Sequence, residues 1–199
     1  MDTLTQLFGS SLRVKLMRLF LFNPENIFSM EQISNRVKKK NTDIRKEINK
    51  LIITGLIKKR ITVKEITVRK KKKNIQKRVD EIGYSYDQKF PYFIALKNLL
   101  IVASLNADES LVKKFNGIGK IKVFLASGVF LQEWDTRVDL LIVSDDINMV
   151  KLDTAIKNLE AEIGKELSYS AFETEDFEYR LGVHDKLVRD ILDSKHILL

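Results

Sequence analysis

Two runs of side chains in this sequence have the types and spacing to hold a polyanion. The first is Lys38, Lys39 and Lys40, followed by Asn41, Thr42, Arg45, Lys46, Asn49 and Lys50. Lysine and arginine neutralise phosphates, and arginine and asparagine also offer the donor and acceptor pairs that read base edges. The second is Arg69-Lys70-Lys71-Lys72-Lys73, suited at a loop tip to gripping a nucleic-acid backbone whatever its sequence. Charge runs are more often plain solvated faces, so their distribution matters. Residues 1–80 hold 21 Lys and Arg against 7 Asp and Glu, a net of +14, whereas residues 81–199 hold 14 against 20, a net of −6. Any polyanion contact therefore belongs to one part of the chain.

Other chemistries find little support. There is no cysteine, hence no disulfide, thiol nucleophile or cysteine zinc site, which suits a reducing cytoplasm. His184 and His196 are too few and too isolated for a histidine metal site. Lys97 and Asn98 interrupt the longest apolar region, Phe93 to Leu105, which is too short for a bilayer. Arg13, Lys15 and Arg18 break up the apolar run from Leu12 to Phe22, unlike a signal peptide. A cytoplasmic protein with no membrane partner is expected.

The basic residues need elements to position them. Ser29, three residues before Gln32 and just ahead of Ile33 and Val37, predicts a helix opened by a capping box. A second helix is expected from Asn41 or Thr42, either able to cap it, with Ile44, Ile48, Leu51 and Ile52 inward and Gly55 ending it. Before these, a helix from Ser10 or Ser11 carries Leu12, Leu16, Leu19 and Phe20 and stops before Pro24, and Ile27-Phe28 forms a short strand. Leu56 to Val68 predicts a strand, Arg69 to Asn74 a turn, and Ile75 to about Ile82 the return strand. Helix, strand, helix, helix, strand, strand is the order of a winged helix-turn-helix, with the lysine tip as its wing.

Pro91 then opens a connector helix with Phe93, Leu96, Leu99 and Leu100 inward, followed by a helix from Asp108 to Phe115. Strands are expected at Ile121 to Leu125, Val138 to Val143 and Leu167 to Phe172, with a turn at Ser144-Asp145-Asp146. Helices are expected at Asn148 to Ile163, after a Thr174 cap, and at His184 to Leu192. This alternation predicts a small mixed sheet with packed helices. The expected division is 1–86, a connector at 87–106, and 107–199.

The segment Val123 to Ser144, VFLASGVFLQEWDTRVDLLIVS, resembles the signature of minimal nucleotidyltransferases of the polymerase-beta-like superfamily. There, a strand ends in Gly-Ser and the next begins Asp-x-Asp. With the amino-terminal part included, the chain resembles prokaryotic transcriptional regulators that carry such a domain behind a DNA-binding unit. The resemblance implies a metal site at the Asp-x-Asp position, where Asp139 matches the second carboxylate but Arg137 replaces the first and would repel the ion. Gly-Ser appears as Ala126-Ser127, leaving the Ser127 hydroxyl as a donor. The later strand offers only Ser168 and Ser170, and Asp135 or Asp145-Asp146 do not reproduce the strand-face pair.

The resulting expectation is an α/β protein of two domains, an N-terminal winged helix-turn-helix and a C-terminal nucleotidyltransferase-like mixed sheet. It is read as a sequence-specific transcriptional regulator of double-stranded DNA, a homodimer, with Ser127, Arg137 and Asp139 vestigial and no cofactor. The second domain would serve dimerisation, sensing of a small molecule, or docking of a protein effector. The alternative is an active nucleotidyltransferase, which would use magnesium and a nucleoside triphosphate. An RNA-binding or antitoxin-like role ranks last, because the basic segments carry few aromatics for stacking bases.

Overall fold

The computed structural model describes residues 3–70, 73–102 and 108–199, of which 64–70, 73–77 and 102 are described by backbone alone. The protein is of mixed α/β class with two separate sheets, and the chain divides into compact units at Met1–Leu100 and Ile101–Leu199. Among the described residues, no helix is long and apolar enough to cross a membrane.

The first unit opens with α1 (Thr3–Phe8), which the sequence reading did not anticipate and which buries no side chain. Next, α2 (Ser11–Phe22) is capped by Ser10 and buries Leu12, Leu16, Leu19 and Phe20 together with Val14, Met17 and Leu21. The Phe20 ring meets Phe28 edge-on at 5.9 Å. After the two-residue strand β1 (Phe28–Ser29), the Ser29 capping box opens α3 (Met30–Val37) as expected. A short turn leads to α4 (Asn41–Ile53), which buries Ile44, Ile48 and Leu51. Gly55, at φ 77°, closes α4 with a Schellman arrangement: its N–H donates to the Ile52 carbonyl and that of Leu56 to the Leu51 carbonyl. No Cβ opposes that left-handed turn, so the chain passes directly into the strand that begins at Ile57.

Strands β2 (Ile57–Lys70) and β3 (Lys73–Tyr86) pair without interruption from Ile57↔Tyr86 to Lys70↔Lys73, and β1 adds to β3 at Tyr84 and Gly83. The return strand is thus longer than expected, and Arg69, Lys70, Lys73 and Asn74 belong to the ladder, not to a turn. Lys71 and Lys72 lie outside the described residues. The connector helix begins later than predicted: α5 (Phe93–Lys97) gives way to a π-turn at Asn98–Val102, and the end of the expected connector, 103–106, lies outside the described residues. The wider turn shifts the inward face, so Leu100 and Ile101 are buried while Leu99, expected inside, is exposed.

The second unit begins with α6 (Glu109–Lys113), capped by Asp108, and has sheet order β6-β5-β4-β7, that is Tyr169–Phe172, Leu140–Asp145, Lys120–Ala126 and Ile197–Leu198. Strands β4 (Lys120–Ala126) and β5 (Leu140–Asp145) are antiparallel, while β6 (Tyr169–Phe172) is parallel to β5. A parallel pair needs a crossover, supplied by α7 (Met149–Ile163) with Asn148 as its cap. The run Leu140-Leu141-Ile142-Val143 is apolar without alternation because both faces of the sheet are covered. On one face, Leu125, Leu141 and Val143 cluster with Phe177 of α8 (Thr174–Gly182) and with Val188 and Ile191 of α9 (Lys186–Asp193). On the other, Phe124 packs against Phe115 at 5.1 Å.

Two local expectations are corrected here. Ser144 and Asp145 extend β5 and are not a turn. Glu173, not Thr174, occupies the cap position of α8; its carboxylate accepts from the N–H groups of Asp146 and Ile147, and the Thr174 hydroxyl donates to Asp145. The strand β7 (Ile197–Leu198), which the sequence reading missed, pairs with Leu125 and Ala126 at the edge of the sheet.

Candidate functional site

Helix α4 has one buried side and one bare side. Its apolar residues recur at helical spacing, so Asn41, Thr42, Arg45, Lys46, Asn49 and Lys50 all fall on the exposed side. Thr42 lies three residues before Arg45 and four before Lys46, and Asn49 lies four after Arg45, so these four share one surface strip. A helix presented this way can enter a nucleic-acid groove and offer a guanidinium and an amide to base edges. Neither Asn41 nor Thr42 caps it, however. Lys38 adopts the left-handed conformation at φ 52°, and the chain re-enters the helix with Lys40 at the cap position and no side-chain cap.

That turn is held by the Ser34 hydroxyl, which donates to the Lys39 carbonyl at 2.7 Å. Lys38, Lys39 and Lys40 are exposed on it and line an open hollow of about 680 Å³ with Ser34, Asn35 and Asp43. Three ammonium groups on a short turn between two helices suit a phosphate backbone. Of the second basic run, the backbone places Arg69, Lys70 and Lys73 at the far end of the β2–β3 ladder.

Lys50 belongs to a different arrangement from its neighbours. Its ammonium bonds Glu47 at 2.8 Å, and Glu47 also accepts from the Arg13 guanidinium of α2 at 2.7 Å. Glu47 is 9% exposed, and burial raises its pKa. The hydrogen bonds from Arg13 and Lys50 outweigh that effect and hold the carboxyl below the usual range. The sequence reading missed Arg13 and Glu47. The signal was an acid at the third position after Ile44, on a helix face whose other buried residues, Ile44, Ile48 and Leu51, are aliphatic. Because the pKa is lowered on folding, the contribution of Glu47 is complete above the unfolded carboxylate range and is lost as pH falls through the lowered value. Glu47→Gln should cost the first unit about 1–2 kcal/mol near neutral pH. It should also reduce the loss of stability on acidification, as followed by hydrogen exchange of the α4 amides.

In the second unit, Ser127, Arg137 and Asp139 do not converge on a common point. Ser127 is fully buried and its hydroxyl donates to the Val138 carbonyl at 2.5 Å, so it does not face a ligand. Arg137 precedes β5 instead of lying in it, and its guanidinium pairs with Asp190 of α9 at 3.1 Å. Asp139 is 6% exposed. One of its oxygens accepts from the Val129 N–H at 2.7 Å and the other from the Ser168 N–H at 2.9 Å. Its backbone N–H donates to the Ser168 carbonyl, and its carbonyl accepts from the Ser127 N–H. The carboxylate therefore ties the 3₁₀ turn Gly128–Leu131 to the start of β6. Glycine stands two positions later than the Gly-Ser pattern would place it. Gly128 is at φ 55°, and a Cβ there would lie 2.2 Å from an Asp139 oxygen. Among the described residues, no group of three or more His, Asp or Glu side chains is placed to hold a metal ion.

Comparison of the chain with protein-family models, with curated proteins and with solved structures finds no match.

Proposed function

We propose that the first unit is a winged helix-turn-helix that reads double-stranded DNA, and that the chain acts as a transcriptional regulator. The observation that carries this reading is the bare strip of α4, where Thr42, Arg45, Lys46 and Asn49 stand exposed behind the lysine turn. In this reading α4 enters the major groove, Lys38 to Lys40 hold flanking phosphates, and the lysine end of the β2–β3 hairpin follows the backbone beyond. Arg45, Lys46 and Asn49 read bases. Lys50 is drawn off by Glu47 and contributes charge more than readout. The second unit serves as a partner in dimerisation, as a sensor, or as a docking site for an effector. Against a nucleotidyltransferase stands the engagement of both Asp139 oxygens by backbone N–H groups.

Selection of bound sequences from random duplex DNA tests this, and a defined motif is the expected result. Arg45→Ala should relax preference at one position of the motif. Neutralising Lys38, Lys39 and Lys40 should instead weaken binding to every sequence and flatten the salt dependence by about 0.9 for each phosphate no longer neutralised. Binding that is salt-sensitive but blind to sequence, with Arg45→Ala weakening all duplexes alike, would overturn the reading.

A further inference from the structure

The β2–β3 hairpin carries an apolar surface that its own unit leaves bare. Residues two apart on a strand share a face, so the register places Ile57/Tyr86, Lys59/Tyr84, Ile61/Ile82 and Val63/Asp80 as successive rows of one face. The first row is buried at the base of the hairpin. Farther out, Ile61 is 78% exposed, and Val63 and Ile82 are each 56% exposed. A two-stranded ribbon is marginal in water on its own, and an uncovered apolar row makes it more so.

We propose that a second copy of this chain covers that face. The rows are self-complementary in the sense that a two-fold contact requires. An axis lying across the strands through the Ile61/Ile82 row sets Ile61 over the partner's Ile61 and Ile82 over the partner's Ile82. The same operation sets the Lys59/Tyr84 row over the Val63/Asp80 row. The Lys59 ammonium and the Tyr84 phenol then both reach the partner's Asp80, and the exchange is repeated on the other side of the axis. DNA suits this stretch poorly, because three bare aliphatic side chains and the Asp80 carboxylate would have to face phosphates. The pairing involves no nucleic acid, so it stands or falls separately from the DNA-reading proposal.

The chain has no cysteine, so single substitutions report without background. Ile61→Cys and Ile82→Cys should each give a covalent dimer with a short bis-maleimide linker, which spans the gap between two stacked sheet faces that a direct disulfide would not. Arg60→Cys, exposed but on the opposite face of β2, should not. In sedimentation experiments without DNA, the wild-type chain should be dimeric at micromolar concentration. Ile61→Glu, with unchanged circular dichroism, should dissociate at least about tenfold more readily because it buries an unpaired carboxylate. Asp80→Lys should weaken the dimer, and adding Lys59→Asp should restore it. A monomeric wild type, a dimer indifferent to Ile61→Glu, or Arg60→Cys cross-linking as fast as Ile61→Cys would each overturn the proposal, the first including the case where only DNA protects the face.

Discussion

Asp139→Ala is expected to lower the stability of the second unit by about 3 kcal/mol, because it leaves the buried Val129 N–H and the partly buried Ser168 N–H without an acceptor. Val129 and Ser168 lose their partner together, and the turn after β4 comes free of the start of β6. Trp134 is the only tryptophan in the chain and lies in this unit, so its fluorescence in a urea titration reports the loss directly. Asp139→Asn should fall between, at about 2 kcal/mol, since one amide oxygen still accepts while the new NH₂ group faces another donor. A metal ligand would behave differently. Removing it would spare or even raise stability and abolish metal-dependent transfer of labelled nucleotide. An unchanged urea midpoint together with loss of such transfer in Asp139→Ala would replace the structural reading with the enzymatic one.

Gly128→Ala should cost about 3 kcal/mol, from two causes that can be separated. The residue holds φ 55°, where a side chain is strained by about 1–2 kcal/mol. The added methyl would also lie 2.2 Å from an Asp139 oxygen and 2.7 Å from the Thr136 hydroxyl, so the carboxylate must swing away from its N–H partners. The clash with the carboxylate disappears when Asp139 is already alanine. In the double variant Gly128→Ala should add only the backbone strain and the remaining contact with the Thr136 hydroxyl, and the cycle should be non-additive by about 1 kcal/mol. Simple additivity would mean that the close approach of Gly128 and Asp139 does not govern this turn.

What could be read from the sequence was what neighbours in the chain decide. Ser29 with Gln32, Gly55, and Asn148 with Gly164 mark helix ends because a cap needs only residues a few positions away. The bare strip of α4 was equally legible, since helical spacing sorts Arg45 and Asn49 from Ile44 and Ile48. Features that no residue type announces, or that distant contacts set, were not. Lys40 replaces Asn41 and Thr42 at the cap because the left-handed Lys38 fixes where the helix resumes. The π-turn at Asn98–Val102 moves Leu99 outward with no glycine or proline to announce it. Asp139 sits where one motif would place a metal ligand, yet spacing alone does not show that the Val129 and Ser168 amides close on both its oxygens. Arg13 and Glu47 meet across 34 residues, beyond the reach of any local pattern.

The two sheets differ in how much chain must be made before they can close. In the first, β2 and β3 are consecutive and zip from neighbouring residues outward. In the second, the edge is completed by Leu125 against Leu198 and by Ala126 against Ile197, with α7, α8 and α9 lying between in the chain. Loop closure over such a span must precede the reward of pairing. During synthesis, the hairpin unit is therefore free to acquire its fold while the β4 edge of the other sheet still waits for its partner.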